Sequence, residues 1–276
     1  MDDQRKTMKE WLAFLKTANV PVLGETARAL ARLREDDSLL DPRHIAPVVT
    51  RDPLMTAKLL HYMQTHKHLS QRYELIDVKQ MLLMLGIETF YREVPATLIV
   101  EDVLRENPEA LERFLQVVQR ARHAAYYAYD WAIELRQPHP EEAQIAALLT
   151  HVSELLLLCF NPGPMLEIRR QMLSNPALRS DRVQSHVLGF AGREIQRELV
   201  TDWHLPELLV NLLDPAHAQA ERVRHVRLAA NLARHAANGW QDAGLPQDYQ
   251  EIANLLHTEP RRVKGMIHGK PLPEKW

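Results

Sequence analysis

Residues 23–65 read LGETARALARLREDDSLLDPRHIAPVVTRDPLMTAKLLHYMQT, and this stretch decides the fold class. Its apolar residues recur at every third or fourth position, as on one face of an α-helix, and rarely alternate with the period of two that a half-buried strand requires. The spacing predicts one helix over residues 26–33 and another over residues 54–63. Because proline is favoured in the first helical turn, the Asp52-Pro53 pair predicts where the second helix begins.

The rest of the chain follows the same pattern. A helix over residues 78–85 is predicted to end at Gly86, since glycine readily adopts the backbone conformation that ends helices. Prolines divide the remainder into helices of ordinary length, and the apolar residues 97–100 are too short and isolated to build a sheet. We therefore predict an all-α protein, folded as a helical bundle in two lobes.

The composition is that of a globular protein, with 46% hydrophobic and 25% charged residues. The 34 basic and 36 acidic side chains leave a net charge of −2, so no global field attracts nucleic acid or an anionic membrane. A single cysteine, Cys159, excludes an intramolecular disulfide and fits a reducing compartment. The N-terminal segment has no apolar core of signal-peptide length, and the apolar run 155–160 is far shorter than a membrane span. These features predict a cytoplasmic protein that does not bind membranes.

Three blocks of the sequence carry a family pattern. The first is the stretch 23–65, in which an Asp-Pro pair precedes a leucine-rich helix, although Gln64-Thr65 stands where the family usually has Asn-Ser. The second is VKQMLLMLGIETF, residues 78–90, with its Leu-Gly pair at a helix end. The third, LGFAGREIQRELVTDWHLPELL at residues 188–209, contains the matching positions Gly189, Leu199, Trp203, Leu205 and Pro206. In this order the blocks resemble the HDOD domain, a bacterial regulatory domain related to the HD metal phosphohydrolases.

The resemblance and the proline spacing together predict the domain limits. We expect an N-terminal helix in residues 1–19 and an HDOD domain over residues 20–215. Its two lobes would span residues 20–105 and 106–215. The C-terminal helices in residues 216–276 would pack on the second lobe.

The resemblance also identifies the positions that hold divalent metals in catalytic HD relatives. Those enzymes use a histidine on one helix, a His-Asp pair on the next, a further histidine in fuller sets and a distal aspartate. The corresponding residues here are, in order, His123, Thr150 with His151, Gly192, and either Ala230 or Asn231. At most two ligands are left, and a catalytic divalent site needs three or more. We therefore predict no metal, no cofactor and no catalytic residues.

Two interpretations of the residual polar groups stay open. A rearranged metal site could use His123, His151 and Glu154, because the last two are three residues apart and share a helix face. The alternative, which we favour, is that the two histidines are ordinary hydrogen-bonded interior residues.

The C-terminal stretch 248–267, DYQEIANLLHTEPRRVKGMI, resembles part of a helix-turn-helix. In that interpretation Arg261, Arg262 and Lys264 would contact phosphates or a partner. We favour the alternative of an amphipathic helical hairpin with a basic, solvated side, which could also serve as a protein-docking surface.

Three functions are compatible with these patterns. The HDOD resemblance implies a non-catalytic signalling or regulatory module that acts by binding a protein partner or a ligand. The second hypothesis is a residual metal-dependent phosphohydrolase that acts on a nucleotide or phosphodiester, and the third is a DNA-binding regulator that uses the C-terminal stretch. A nucleotide ligand and the oligomeric state are left open, and nucleic acid is disfavoured by the charge balance.

Overall fold

The computed structural model describes residues 6–66, 77–175 and 178–269. Regular structure in these residues is helical, apart from one isolated parallel β-bridge between Val22 and Ile99. The all-α prediction is confirmed. One residue of the bridge, Ile99, belongs to the apolar stretch 97–100, which forms no sheet in the described residues.

The chain divides into two compact units. Unit 1 contains residues 1–117 and 151–205, and unit 2 contains residues 118–150 and 206–276. This division follows the contacts between residues, whereas the predicted domain limits follow the family resemblance and the proline spacing. Those limits stay a prediction.

Unit 1 is built from helices of two chain segments, residues 1–117 and 151–205. They are α1 (Met8–Thr17), α2 (Gly24–Glu35), α3 (Pro42–Thr50), α4 (Pro53–Thr65), α5 (Val78–Leu85), α6 (Ile87–Glu93), α7 (Val100–Val103), the first part of α8 (Pro108–Glu134), α10 (Val152–Phe160), α11 (Pro162–Ser174), α12 (Ser180–Leu188) and α13 (Gly192–Asp202). Helix α3 packs against α2, α4 and α5, while α10 packs against α4, α11 and α13.

Unit 2 holds the rest of α8 and the C-terminal helices. They are α9 (Pro140–Leu148), α14 (Glu207–Leu212), a 3₁₀ turn (Pro215–His217), α15 (Glu221–Ala236), α16 (Leu245–Leu255) and α17 (Pro260–Gly269). Helix α15 contacts α9, α14 and α16, and α17 packs on α16. Helix α15 is therefore central in this unit.

Asp52 fixes the start of α4 and ties it to a distant part of unit 1. Its Oδ1 accepts the backbone N–H groups of Leu54 (2.9 Å) and Met55 (3.1 Å), which are free donors in the first helical turn. Its Oδ2 accepts the N–H of Leu23, 2.8 Å away and 29 residues earlier. The side chain is buried, and burial raises the pKa of its carboxyl although these hydrogen bonds act to lower it. The helix start predicted from the Asp-Pro pair is thus also a tertiary contact.

A second carboxylate completes the start of α2. Glu101 on α7 accepts the N–H of Gly24 at 2.9 Å, so the first turn of α2 is capped from another helix. A Cβ at Gly24 would lie 3.0 Å from Glu101 Oε1, tighter than an ordinary contact. A side chain at position 24 would therefore press on this cap.

Trp203 ends α13 as its C-cap residue and is only 1% exposed. Its indole stacks on the imidazole of His61 from α4, with ring centroids 4.9 Å apart. Its backbone carbonyl lies 3.4 Å from His61 Nδ1. The next helix, α14, begins at Glu207 with Pro206 at its N-cap. Trp203 is therefore a buried residue at a helix end, as the family pattern suggested.

The apolar stretch Pro140–Phe160 is, by length and composition alone, long enough to cross a membrane. It extends well beyond the run 155–160 noted in the sequence. Most of it is buried within the protein, and residues 149–151 form a turn between α9 and α10. Burial of this kind is typical of core helices in water-soluble proteins, so the stretch is weak support for a membrane span.

Candidate functional site

The predicted metal positions fall in both units. In unit 2, His123 is half-buried on α8, and its Nε2 lies 3.3 Å from Nε2 of Gln119 one turn earlier. Burial, and to a smaller extent the positive charge of Arg122, lowers the pKa of His123. The imidazole is therefore neutral near pH 7, with a neighbouring amide at one of its nitrogens.

The other unit 2 positions offer little to a cation. The Thr150 hydroxyl donates to the carbonyl oxygen of Ala146 at 3.1 Å, which satisfies the end of α9. Asn231 on α15 accepts from the Arg234 guanidinium at 3.5 Å, and its neighbour Ala230 has no ligating atom in its side chain. None of these three residues brings a carboxylate.

In unit 1, His151 and Glu154 lie close together at the start of α10. His151 Nδ1 is 3.7 Å from Glu154 Oε2. The other oxygen of Glu154 accepts a hydrogen bond from the Arg113 guanidinium of α8 at 2.8 Å, and all three side chains are about one quarter exposed. A cation placed on Glu154 would be repelled by this guanidinium, because like charges repel strongly at such distances.

Gly192 begins α13, and the carboxamide of Gln184 occupies the space beside it. The Gly192 N–H donates to Gln184 Oε1 at 2.8 Å. A Cβ built at position 192 would lie 2.8 Å from that oxygen and 3.2 Å from the carboxamide carbon and nitrogen. A histidine here would therefore require Gln184 to move.

A buried amide supports the same end of α10. Gln196 on α13 is buried, and its Oε1 accepts the N–H of Ser153 in the first turn of α10 at 2.8 Å. Across residues 6–66, 77–175 and 178–269, no group of three or more His, Cys, Asp or Glu side chains could hold a metal ion. The predicted roles of the individual site residues stay predictions.

The helical fold agrees with a comparison of sequences. A family model described as the HDOD domain matches residues 20–219, most of the chain. The chain belongs to the HDOD domain family. A search of curated proteins returned no match.

Solved structures of the same fold support the HDOD architecture. The MmoQ response regulator of Methylococcus capsulatus strain Bath is 18% identical to this chain at a TM-score of 0.67, with 87% of this chain and 99% of that chain covered. A virulence factor of Campylobacter jejuni is 18% identical at a TM-score of 0.64, with 99% and 94% covered. At this identity the comparison shows a common fold.

Sequence reasoning missed the neighbours of the HDOD site positions. Arg113 and Glu154 are 41 residues apart, and Ser153 and Gln196 are 43 apart, so no local spacing links them. Their pairing depends on how α8, α10 and α13 pack.

A buried histidine of unit 2 was also missed from the sequence. His225 on α15 is fully buried, and in the described structure neither ring nitrogen has a well-aligned hydrogen-bond partner. Its ring lies 6.0 Å from that of Trp131 on α8. Burial lowers the pKa of His225 to about 4, the nearby Arg222 lowers it further, and only the backbone of Ala128 opposes the shift. His225 lies four residues before Ala229 on a buried face of α15, a signal that could have predicted its burial.

We expect His225 to make the stability of this HDOD domain depend on pH. Its pKa in the folded state, about 4, lies below the ordinary histidine value of about 6.5, so the unfolded state binds more protons between those values. The contribution of neutral His225 to the free energy of unfolding is full above the unfolded-state pKa. It is lost as the pH falls toward about 4, and the total loss is about 3 kcal/mol. Urea unfolding from pH 7.5 to 4.5 measures this loss.

The matched variants separate His225 from other titrating groups. His225→Leu should flatten the loss of stability with falling pH, whereas replacement of the exposed His139 by glutamine should leave the wild-type profile unchanged. Parallel profiles for wild type and His225→Leu would contradict the assignment.

Proposed function

We propose that this protein is a non-catalytic signalling or regulatory module of the HDOD type that acts by binding a protein partner in the cytoplasm. The observation that carries the proposal is the chemistry of the family's metal positions. They hold Thr150, Gly192 and either Ala230 or Asn231 in place of histidine and aspartate. A divalent ion that activates water or neutralises a phosphate needs several carboxylates and imidazoles in its coordination sphere.

The surroundings of these positions support the same proposal. Arg113 is paired with Glu154, the carboxylate of the predicted rearranged site, and Gln184 lies in the space beside Gly192. A helical domain in which these positions cannot easily collect ligands can still bind a partner through its surface. One protein of the same fold is named a response regulator, a name in keeping with a regulatory role.

Metal content tests the proposal directly. We expect the purified protein, prepared without chelators, to contain fewer than about 0.1 equivalents of manganese, iron, nickel or zinc, because fewer than three ligands give a weak site. Thermal melts with and without added manganese should coincide. A metal bound at a hundredfold its dissociation constant would instead stabilise the fold by about 2.7 kcal/mol.

The residual phosphohydrolase is the outcome that would overturn the proposal. A stoichiometric metal that is lost in both His123→Ala and His151→Ala, together with hydrolysis of bis-p-nitrophenyl phosphate, would establish a rearranged site. His139→Gln serves as the control, since it removes an exposed imidazole that is not at one of the predicted metal positions.

A further inference from the structure

The exposed side of α17 carries a stripe with two cationic side chains and one histidine. Arg261, Lys264, Gly265 and His268 follow the spacing i, i+3, i+4, i+7 of one helix face, and all four are exposed. Val263 and Ile267 lie on the other side of the helix and are buried. We call the four exposed residues the α17 face.

A large aromatic residue extends the α17 face at its C-terminal end. Trp240, in the turn between α15 and α16, is 46% exposed, and its ring centroid is 4.2 Å from that of His268. The hydroxyl of Tyr249 lies 3.1 Å from His268 Nε2, so the imidazole is held between two aromatic residues. Tryptophan and arginine are enriched at the centres of protein interfaces, where a partly exposed indole supplies a rigid apolar contact.

Gly265 has no structural reason to be glycine in this helix. A Cβ at this position would meet no atom within 4 Å, and its backbone is not in the left-handed region. Glycine within a helix lowers helix stability relative to alanine. A bare backbone between Arg261, Lys264 and His268 allows another chain to approach the helix closely.

Charge indicates the chemistry of the partner. The first turn of α17 contains no acidic residue, and the neighbouring Arg262 lies on a different face, 4.0 Å from Glu134. Positive side chains near a helix N-terminus add to the positive end of the helix dipole, which favours an anionic partner. The stripe from residue 261 to residue 268 is about 10 Å long, which matches about three residues of an extended chain.

We propose that the α17 face and Trp240 form the docking surface for an acidic segment of a partner protein, with an apolar side chain of that segment against the indole. This inference rests on the proposed binding function. Proteins that bind duplex DNA commonly neutralise about 6–10 phosphates, more than a stripe of two full cations and one histidine provides. The net charge of −2 also disfavours DNA.

The test is a selection of phage-displayed random peptides for binding to the full chain. The peptides have about twelve residues, which in extended form are long enough to cover the stripe. We expect enriched peptides to combine acidic residues with an aromatic or aliphatic residue. The affinity of the best peptide should fall at least about tenfold in Arg261→Glu/Lys264→Glu and in Trp240→Ala. The control Arg32→Glu/Lys79→Glu makes the same change of net charge at exposed residues of unit 1 and should bind as wild type does.

Gly265→Ala separates docking from folding. Alanine favours the helix and meets open space, so this variant should melt at a higher temperature than wild type and yet bind the peptide more weakly.

The inference is overturned if no acidic peptides are enriched, or if their binding ignores the α17 variants. It is also overturned if a duplex DNA of about 20 base pairs binds at physiological salt and loses binding in the same variants, since that assigns the face to nucleic acid. A bound metal with peptide binding intact would refute only the proposed non-catalytic function.

Discussion

Replacement of Trp203 by alanine is expected to lower the free energy of unfolding by about 3–5 kcal/mol, a large part of the 5–15 kcal/mol typical of a domain. The indole is 1% exposed and stacks on His61, so its removal leaves a cavity and a ring without its partner. Urea unfolding at neutral pH measures the loss.

Two comparisons keep the Trp203 result specific. Trp203→Phe should cost much less, because the indole Nε1 is buried without a hydrogen-bond partner in the described structure and phenylalanine sacrifices no polar contact. His151→Ala should cost less than about 1 kcal/mol, since its side chain is about one quarter exposed and its ion-pair partner already binds Arg113. Equal losses for Trp203→Ala and His151→Ala would contradict this account.

The second large effect is expected at Asp52. In Asp52→Ala, the buried N–H groups of Leu23, Leu54 and Met55 lose their acceptor. Each unsatisfied buried donor costs about 1–3 kcal/mol, so we expect the variant to lose at least about 3 kcal/mol of unfolding free energy. The same urea titration measures it.

Asp41 provides a matched control for Asp52. Both aspartates precede a proline and cap a helix, but the Asp41 side chain accepts only the N–H of Arg43 and caps α3 locally. Asp41→Ala should therefore cost about 1 kcal/mol, the usual value for a helix cap. If the two variants were equally destabilised, the hydrogen bond from the Leu23 N–H to Asp52 would not contribute to the free energy of unfolding.

Local patterns predicted three helices of this protein individually, over residues 26–33, 54–63 and 78–85. The helix over residues 78–85 begins and ends where the spacing placed it, and Gly86 ends it with a positive φ of 80°. The Asp52-Pro53 pair likewise marks the start of α4. These helix ends depend on residues within one or two helical turns, so the local sequence is enough to predict them.

The contacts around the site positions could not be predicted in this way. Glu154 meets Arg113, and Asp52 meets Leu23, only because helices far apart in the chain pack together. The resemblance predicts which positions have lost ligands, whereas packing determines which polar groups lie around them. The apolar stretch 140–160 was underestimated for a related reason, because its two helices are separated by a turn that interrupts the run.

The carboxamide of Gln184 would have to move before a metal-binding side chain could stand at position 192. Reintroduction of histidine at position 192 alone would force its Cβ into Gln184 and disturb the hydrogen bond that begins α13. A restored carboxylate near Glu154 would likewise find Arg113 already in place. A full set of metal ligands would therefore need substitutions at several positions as well as movement of the Gln184 carboxamide, and no single substitution would complete it.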